Sequence, residues 1–218
     1  MLNINTNDLL KNCKITMLAH AIMVGFYPEL SYEHSWDGNN YNLIGDNNTR
    51  GTITFFENNC IGAFRNENSI RFNKKINYLN FFKGAPDSII KLAENETLQY
   101  LLVEEENGVS PLITTAFWNC NNAILSNDSL EIFFSNGGEL IKNHLLSLNK
   151  VIEKLVEYYE MNTSQTYLLN LLFNKIIDNQ DKKIFIDSKE ILMIGNPEEF
   201  DINEVKVSLS ELNIFFKD

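Results

Sequence analysis

The spacing of hydrophobic positions changes several times along the chain, and each change predicts an element. Over residues 6–23, Leu9, Leu10, Cys13, Met17, Leu18, Ala21 and Ile22 recur at helical spacing. Thr6 is placed to cap this helix. Asp8 sits in its first turn, where the helix dipole favours an anion, and Gly25 and Pro28 end it.

From residue 31 to 65 the period drops to two, and this stretch organises the rest. Tyr32, His34 and Trp36 alternate with Ser31, Glu33 and Ser35, and Asp37-Gly38-Asn39-Asn40 then turns the chain. A short strand over 41–44 is closed by Gly45-Asp46-Asn47-Asn48, and residues 49–57 and 60–67 pair as a hairpin around Asn58-Asn59. With a two-residue turn there, Glu57 faces Cys60, Phe55 faces Gly62 and Ile53 faces Phe64 on the core side. On the other side Thr52 faces Arg65 and Arg50 faces Glu67, which makes Arg50 and Arg65 diagonal neighbours.

Farther on, residues 76–82 predict a short helix and residues 87–102 a longer one, broken from each other at Gly84-Ala85-Pro86. The run Glu104-Glu105-Glu106-Asn107-Gly108 reads as a solvated acidic turn. Alternation returns over 112–119, a turn is expected at Cys120-Asn121-Asn122, and residues 123–126 and 130–134 are expected as further strands. After Asn136-Gly137-Gly138 the pattern is helical. Ile141, Leu145, Leu148, Ile152, Leu155 and Tyr159 form a seam of 3.5-residue period over 141–159, a candidate surface for self-association. Asn162-Thr163-Ser164 caps a second helix, so the two are expected as a helical hairpin. Residues 184–186 and 188–194 read as a short apolar segment and a short helix, while 202–216 fits helix and strand alike and is assigned to helix.

The expected fold class is therefore α+β: an antiparallel meander of about six strands packed by helices, followed by an acidic α-helical hairpin. The expected organisation is an α+β part over 1–136 and a mainly helical part over 139–218, packed as one unit.

Composition narrows the class. The chain has 218 residues, of which 44% are hydrophobic and 22% charged, ordinary values for a globular protein. No apolar run is long enough to span a bilayer, and residues 1–10 lack the basic start of a signal peptide. Cys13, Cys60 and Cys120 are far apart and odd in number, which suits free thiols in a reducing cytoplasm rather than a disulfide framework or zinc ribbon.

The net charge of −11 is unevenly placed. Residues 1–75 carry seven acidic and seven basic residues, whereas 76–218 carry 22 acidic and 11 basic. Such a balance argues against general DNA or anionic-membrane binding and fits a basic partner. All three arginines, Arg50, Arg65 and Arg71, fall in the neutral part.

Glycine-rich phosphate loops, a Gly-x-Ser-x-Gly elbow and metal-ligand histidine spacings are absent from the sequence, so no cofactor or metal is expected and an enzyme is disfavoured. The cluster with most chemical potential is His34, Trp36, Asp37, Tyr41, Arg50 and Arg65. His34 and Asp37 are the candidates for acid–base work, and Arg50 and Arg65, with Trp36 and Tyr41, for holding a carboxylate, a phosphate or a nucleotide. Glu104, Glu105, Glu106, Glu153 and Glu157 are the candidates for docking a basic protein. The expected function is protein binding, in the manner of an immunity or inhibitor protein or an accessory subunit of a bacterial or phage defence system. An anion-binding or enzymatic role for the arginine cluster is the alternative.

Overall fold

The computed structural model describes residues 2–105, 108–121, 123–178 and 182–217. Its strands are β1 (Leu2–Asn5), β2 (His34–Asp37), β3 (Asn40–Gly45), β4 (Thr49–Phe56), β5 (Asn59–Asn66), β6 (Leu102–Glu105), β7 (Gly108–Pro111), β8 (Thr115–Cys120), β9 (Ala123–Leu125), β10 (Ile184–Ile186) and β11 (Ile214–Phe216). The α-helices are α1 (Thr6–Met23), α2 (Asp87–Asn95), α3 (Leu130–Ser135), α4 (Leu148–Tyr158), α5 (Thr163–Asp178), α6 (Ser188–Ile194) and α7 (Ile202–Glu211). The fold is mixed α+β, with a seven-stranded sheet in the order β1-β9-β8-β5-β4-β3-β2. The pairs β1–β9, β9–β8, β8–β5, β5–β4 and β4–β3 run antiparallel.

The chain divides into two compact units, the first Met1–Leu10 with Asp37–Leu146 and the second Lys11–Trp36 with Ser147–Asp218. Its path changes unit within α1, within β2 and again between Leu146 and Ser147.

In the first unit, alternation along β4 and β5 sends two sets of side chains to opposite faces. Ile61 and Ala63, with Ala116 and Trp118 of β8, pack against Phe81, Phe82, Ile89, Ala93, Leu98 and Leu101 from α2 and the short 3₁₀ segments beside it. On the other face Phe64, Phe117 and Phe133 form an aromatic cluster with ring centroids 5.5–6.2 Å apart. Both faces of the sheet are thus covered, which is why β5 and β8 are buried along most of their length.

The β4–β5 register differs from the expected one by two residues. Phe56 pairs with Asn59, so Glu57 and Asn58 make the turn, and Gly51 faces Phe64, Ile53 faces Gly62 and Phe55 faces Cys60. The faces are as expected and only the partners move. Gly51 accounts for the shift: a Cβ there would lie 2.3 Å from the Phe64 ring, so this glycine is a slot that the register fills. Gly62 is the matching slot for Phe117 in the β5–β8 pairing, where a Cβ would lie 2.3 Å from that ring. It also moves the charged Glu57 off the core side into an exposed turn, at φ 52°.

Other expectations are corrected. Residues 130–134 are not a strand but α3, because the Ser129 hydroxyl accepts the Ile132 N–H as an N-cap. The helix over 87–102 ends at Asn95; Glu96 leaves helical geometry at φ −124°, and residues 97–101 tighten into a 3₁₀ turn. The cap of α1 is Asn5 rather than Thr6, since Asn5 Oδ1 accepts the Asp8 N–H at 2.9 Å and its Nδ2 donates to the Asp8 carboxylate at 2.7 Å. The strand expected over 31–36 is confined to β2, after a 3₁₀ turn at Pro28–Leu30. The acidic turn keeps β6 and β7 as its flanking strands, with Glu106 and Asn107 outside the described residues; Asn122 of the next expected turn is outside them too.

The second unit is mainly helical. The part of α1 within it carries fully buried Cys13, Ile15, Met17, Leu18, Ala21 and Ile22. The continuous seam over 141–159 does not form: Leu146 and Ser147 are extended, with Ser147 as the N-cap of α4, and Ile141 and Leu145 belong to 3₁₀ turns of the first unit. The acidic hairpin is not found either. The α4 segment carries two lysines and two glutamates and the α5 segment one lysine and one aspartate, so each is neutral, and α5 packs on α6. Of residues 202–216, assigned to helix, 202–211 form α7, capped by Asp201, while Ile214–Phe216 form β11 in parallel pairing with β10.

Candidate functional site

The shifted register places Arg50 directly opposite Arg65 on the face shared with Thr52, Thr54, Ile61 and Ala63. Two guanidinium groups are thereby held side by side by the backbone ladder itself. Arg50 is half exposed, with 42% of its side chain accessible, while only 6% of the Arg65 side chain reaches solvent. Glu67, two residues beyond Arg65 and on the same face, brings one oxygen between them. Its Oε1 lies 3.6 Å from Arg65 Nε and 4.0 Å from Arg50 Nη2. Neither distance is a hydrogen bond.

Arg65 Nε and Nη1 and Arg50 Nε are buried and have no hydrogen-bond partner among the described residues. Burial, and then the charge of Arg50, lower the Arg65 pKa, while Glu67 acts the other way. A guanidinium remains protonated under all ordinary conditions, so it stays a buried cation.

Arg71, the third arginine, shows what a satisfied guanidinium looks like in the same unit. Its Nη1 and Nη2 donate to the two oxygens of Asp128 at 2.7 and 2.9 Å, Nη1 also reaches the Thr114 carbonyl at 3.2 Å, and its charge lies 5.6 Å from the Phe81 ring centre. Asp128 in turn accepts from the Thr115 hydroxyl at 2.6 Å. This is a structural clamp with both terminal nitrogens bonded.

Along the same face the neighbouring polar groups are committed to one another. Thr52 donates to Asn42 at 2.8 Å, Thr54 to Asn40 at 2.6 Å, and Thr54 meets Thr97 at 2.6 Å. Asn40 Nδ2 reaches Glu96 at 2.9 Å and the Tyr100 hydroxyl at 3.4 Å, and Tyr100 donates to Asp37 at 2.6 Å. Burial, and then the Asp37 carboxylate, push the Tyr100 pKa up to about 12.

The sequence-derived cluster is therefore divided. Arg50 and Arg65 are brought together more closely than expected. Tyr41 lies on the opposite face of the sheet, fully buried, its hydroxyl 3.1 Å from His144 Nε2. Asp37 is exposed and serves Tyr100. His34 and Trp36 belong to the second unit, where the His34 ring meets His20 edge-on at 5.2 Å and the Trp36 N–H donates to Glu211 at 2.6 Å.

Among the docking candidates, Glu104 is exposed and its carbonyl accepts from Lys74 Nζ at 2.6 Å, while the Glu105 side chain and Glu106 lie outside what is described. Glu153 and Glu157 pair with Lys150 and Lys154 at 2.6 and 2.8 Å on their own helix.

The sequence places Glu67 directly opposite Arg50; the two-residue shift takes it out of that pairing, and its carboxylate still reaches both arginines. A feature not singled out from the sequence is a cleft of about 540 Å³ lined by Asp46, Asn47, Thr49, Asn68, Phe134 and Glu139. It opens on the opposite face from the arginines, since Thr49 alternates with Arg50, and its two carboxylates suit it poorly to an anion. Among the described residues no group of His, Cys, Asp and Glu is placed to hold a metal ion, and no helix is long and apolar enough to cross a membrane.

Comparisons with protein-family models, with curated proteins and with solved structures return no match to this chain.

Proposed function

We propose that the first unit binds a small anion through Arg50 and Arg65. The observation that carries this reading is the state of Arg65: a buried cation with Nε and Nη1 left without hydrogen-bond partners. Leaving a buried charged donor unsatisfied costs several kcal/mol. The cost is aggravated by a second guanidinium directly across the ladder. Glu67, 3.6 Å from Arg65 Nε, offsets it only in part, whereas Arg71 a few residues away makes paired hydrogen bonds to Asp128. An oxyanion seated between the two arginines would supply the missing acceptors and cancel the like-charge repulsion. Arg50, with 42% of its side chain accessible, is the member of the pair that solvent reaches.

The test is thermal unfolding of the full chain with increasing inorganic phosphate, for wild type, Arg50→Gln and the charge-matched control Lys91→Gln. Wild type and the control gain stability with phosphate, and Arg50→Gln gains little or none. Equal responses from all three would overturn the reading.

A second reading keeps docking on a basic protein, in the manner of an immunity or inhibitor protein or a defence-system subunit. It is supported by the net charge of −11. That charge divides into 14 acidic against 8 basic residues in the first unit and 15 against 10 in the second, so steering would come from the field of the whole chain. Glu153 and Glu157 contribute little to it, being locally paired. Association rates falling steeply with salt would support this reading, and salt-independent rates would remove it.

A further inference from the structure

Resting on the anion-binding reading, we infer that Glu67 is a built-in competitor in the arginine site, and that the external ligand is a tetrahedral dianion, a phosphoryl or sulfuryl group, which displaces it. Three features of the geometry lead there.

The first is the position of the carboxylate. A single oxygen, Oε1, stands against both guanidinium groups, at 3.6 and 4.0 Å. That is the place of an anion's bridging oxygen, occupied from within the chain. The backbone limits how far Glu67 can close on it, because the Glu67 N–H is held by the Asn48 carbonyl at 3.1 Å, which extends the β4–β5 pairing. Glu67 therefore partly neutralises the pair without satisfying it.

The second is the number of open donors. Arg65 Nε, Arg65 Nη1 and Arg50 Nε are all without acceptors among the described residues. A carboxylate brings two oxygens in one plane. A phosphoryl or sulfuryl group brings three or four, spread tetrahedrally, so separate oxygens can address nitrogens on two different side chains.

The third is charge. With Glu67 in place the cluster carries one net positive charge, and with Glu67 turned away it carries two. A monovalent carboxylate that displaced Glu67 would exchange one negative charge for another and gain little. A dianion gains the second charge, beside the largely buried Arg65.

Glu67 then acts as a filter. It holds the empty site against monovalent anions and yields to divalent ones. It also limits the electrostatic strain of the unliganded state, which explains why a carboxylate stands at a position where it weakens the proposed activity.

Isothermal titration of the full chain at pH 7.5 with inorganic phosphate, sulfate and acetate tests this, using wild type and Glu67→Gln. The expected result is that wild type binds phosphate and sulfate about tenfold or more tighter than acetate. Glu67→Gln is expected to bind phosphate tighter than wild type by about tenfold or more, since one opposing charge is gone. If wild type binds none of the three, the anion-binding reading itself falls. If wild type binds phosphate but Glu67→Gln binds it equally or more weakly, the competitor role falls and the reading stands. If acetate binds as tightly as phosphate and sulfate, the dianion assignment falls.

Discussion

Arg50 and Arg65 face each other as a directly opposed pair on adjacent antiparallel strands, with one oxygen of Glu67 as their shared counter-charge. Like charges in this position destabilise a sheet by roughly 0.2–1 kcal/mol. Replacing Arg50 with Gln should therefore raise the stability of the ligand-free protein by about 0.5 kcal/mol, seen as a higher urea midpoint at unchanged slope. A variant that is both more stable and deficient in anion binding is the signature of a site retained for function. A loss of stability would mean that Arg50 is structural.

The opposite behaviour is expected of Arg71. Its two hydrogen bonds to the nearly buried Asp128 fasten the segment after β5 to the segment after β9. Arg71→Ala should cost about 2–4 kcal/mol, because Asp128 is left with its charge and only the Thr115 hydroxyl described to answer it. Arg71→Lys should recover only part of this, since a point charge cannot make the paired bonds. Urea denaturation of the two variants checks both values.

The ring-in-slot pairing of Gly51 with Phe64 gives a packing test. A methyl group at position 51 would sit 2.3 Å from a ring atom whose face is closed by Phe117 and Phe133. Gly51→Ala should cost about 1–3 kcal/mol. Phe64→Leu in the same background should restore part of the loss, and a double-mutant cycle measures the coupling.

Two buried histidines set a pH dependence. Burial lowers the pKa of His20, in the second unit, and of His144, in the first, to about 4 from the ordinary 6.5. His20 Nδ1 lies 3.1 Å from the Tyr159 hydroxyl and His144 Nε2 lies 3.1 Å from that of Tyr41. A histidine held neutral in the fold binds its proton more readily when unfolded. Its stabilisation is complete above pH about 6.5 and is lost as pH falls toward 4. Between pH 7.5 and 5.5 each should account for roughly 1 kcal/mol of lost stability. Replacing His144 with Asn should flatten the curve by that amount, whatever it does to the absolute stability.

Much of the architecture is legible in the chain because period carries it. The ends of α1, the β3–β4–β5 meander and the separation of its two faces follow from the alternation and the turn residues. What is not legible depends on partners distant in sequence. The stretch 130–134 has the look of a strand until Ser129 is seen to cap it. The seam over 141–159 keeps a coiled-coil period across residues that are not one helix, because apolar spacing does not register the extended geometry of Leu146 and Ser147. For the site, the sequence places both arginines on one face, since parity survives a shift of two. Their direct opposition requires the register that Phe64 sets by occupying Gly51. Tyr41 shows the converse: it is near Arg50 in the chain and on the other side of the sheet.

The central claim is that the buried Arg65 guanidinium waits for an anion, and its own Nε–H is the most direct witness. In a ¹H–¹⁵N spectrum of the full chain, with that resonance assigned by Arg65→Lys, inorganic phosphate should move the Arg65 Nε–H signal saturably downfield and slow its exchange with water. The Arg71 signal, already bonded to Asp128, should stay in place. An Arg65 signal that does not respond to millimolar phosphate, or one that responds no more than Arg71, would contradict the account.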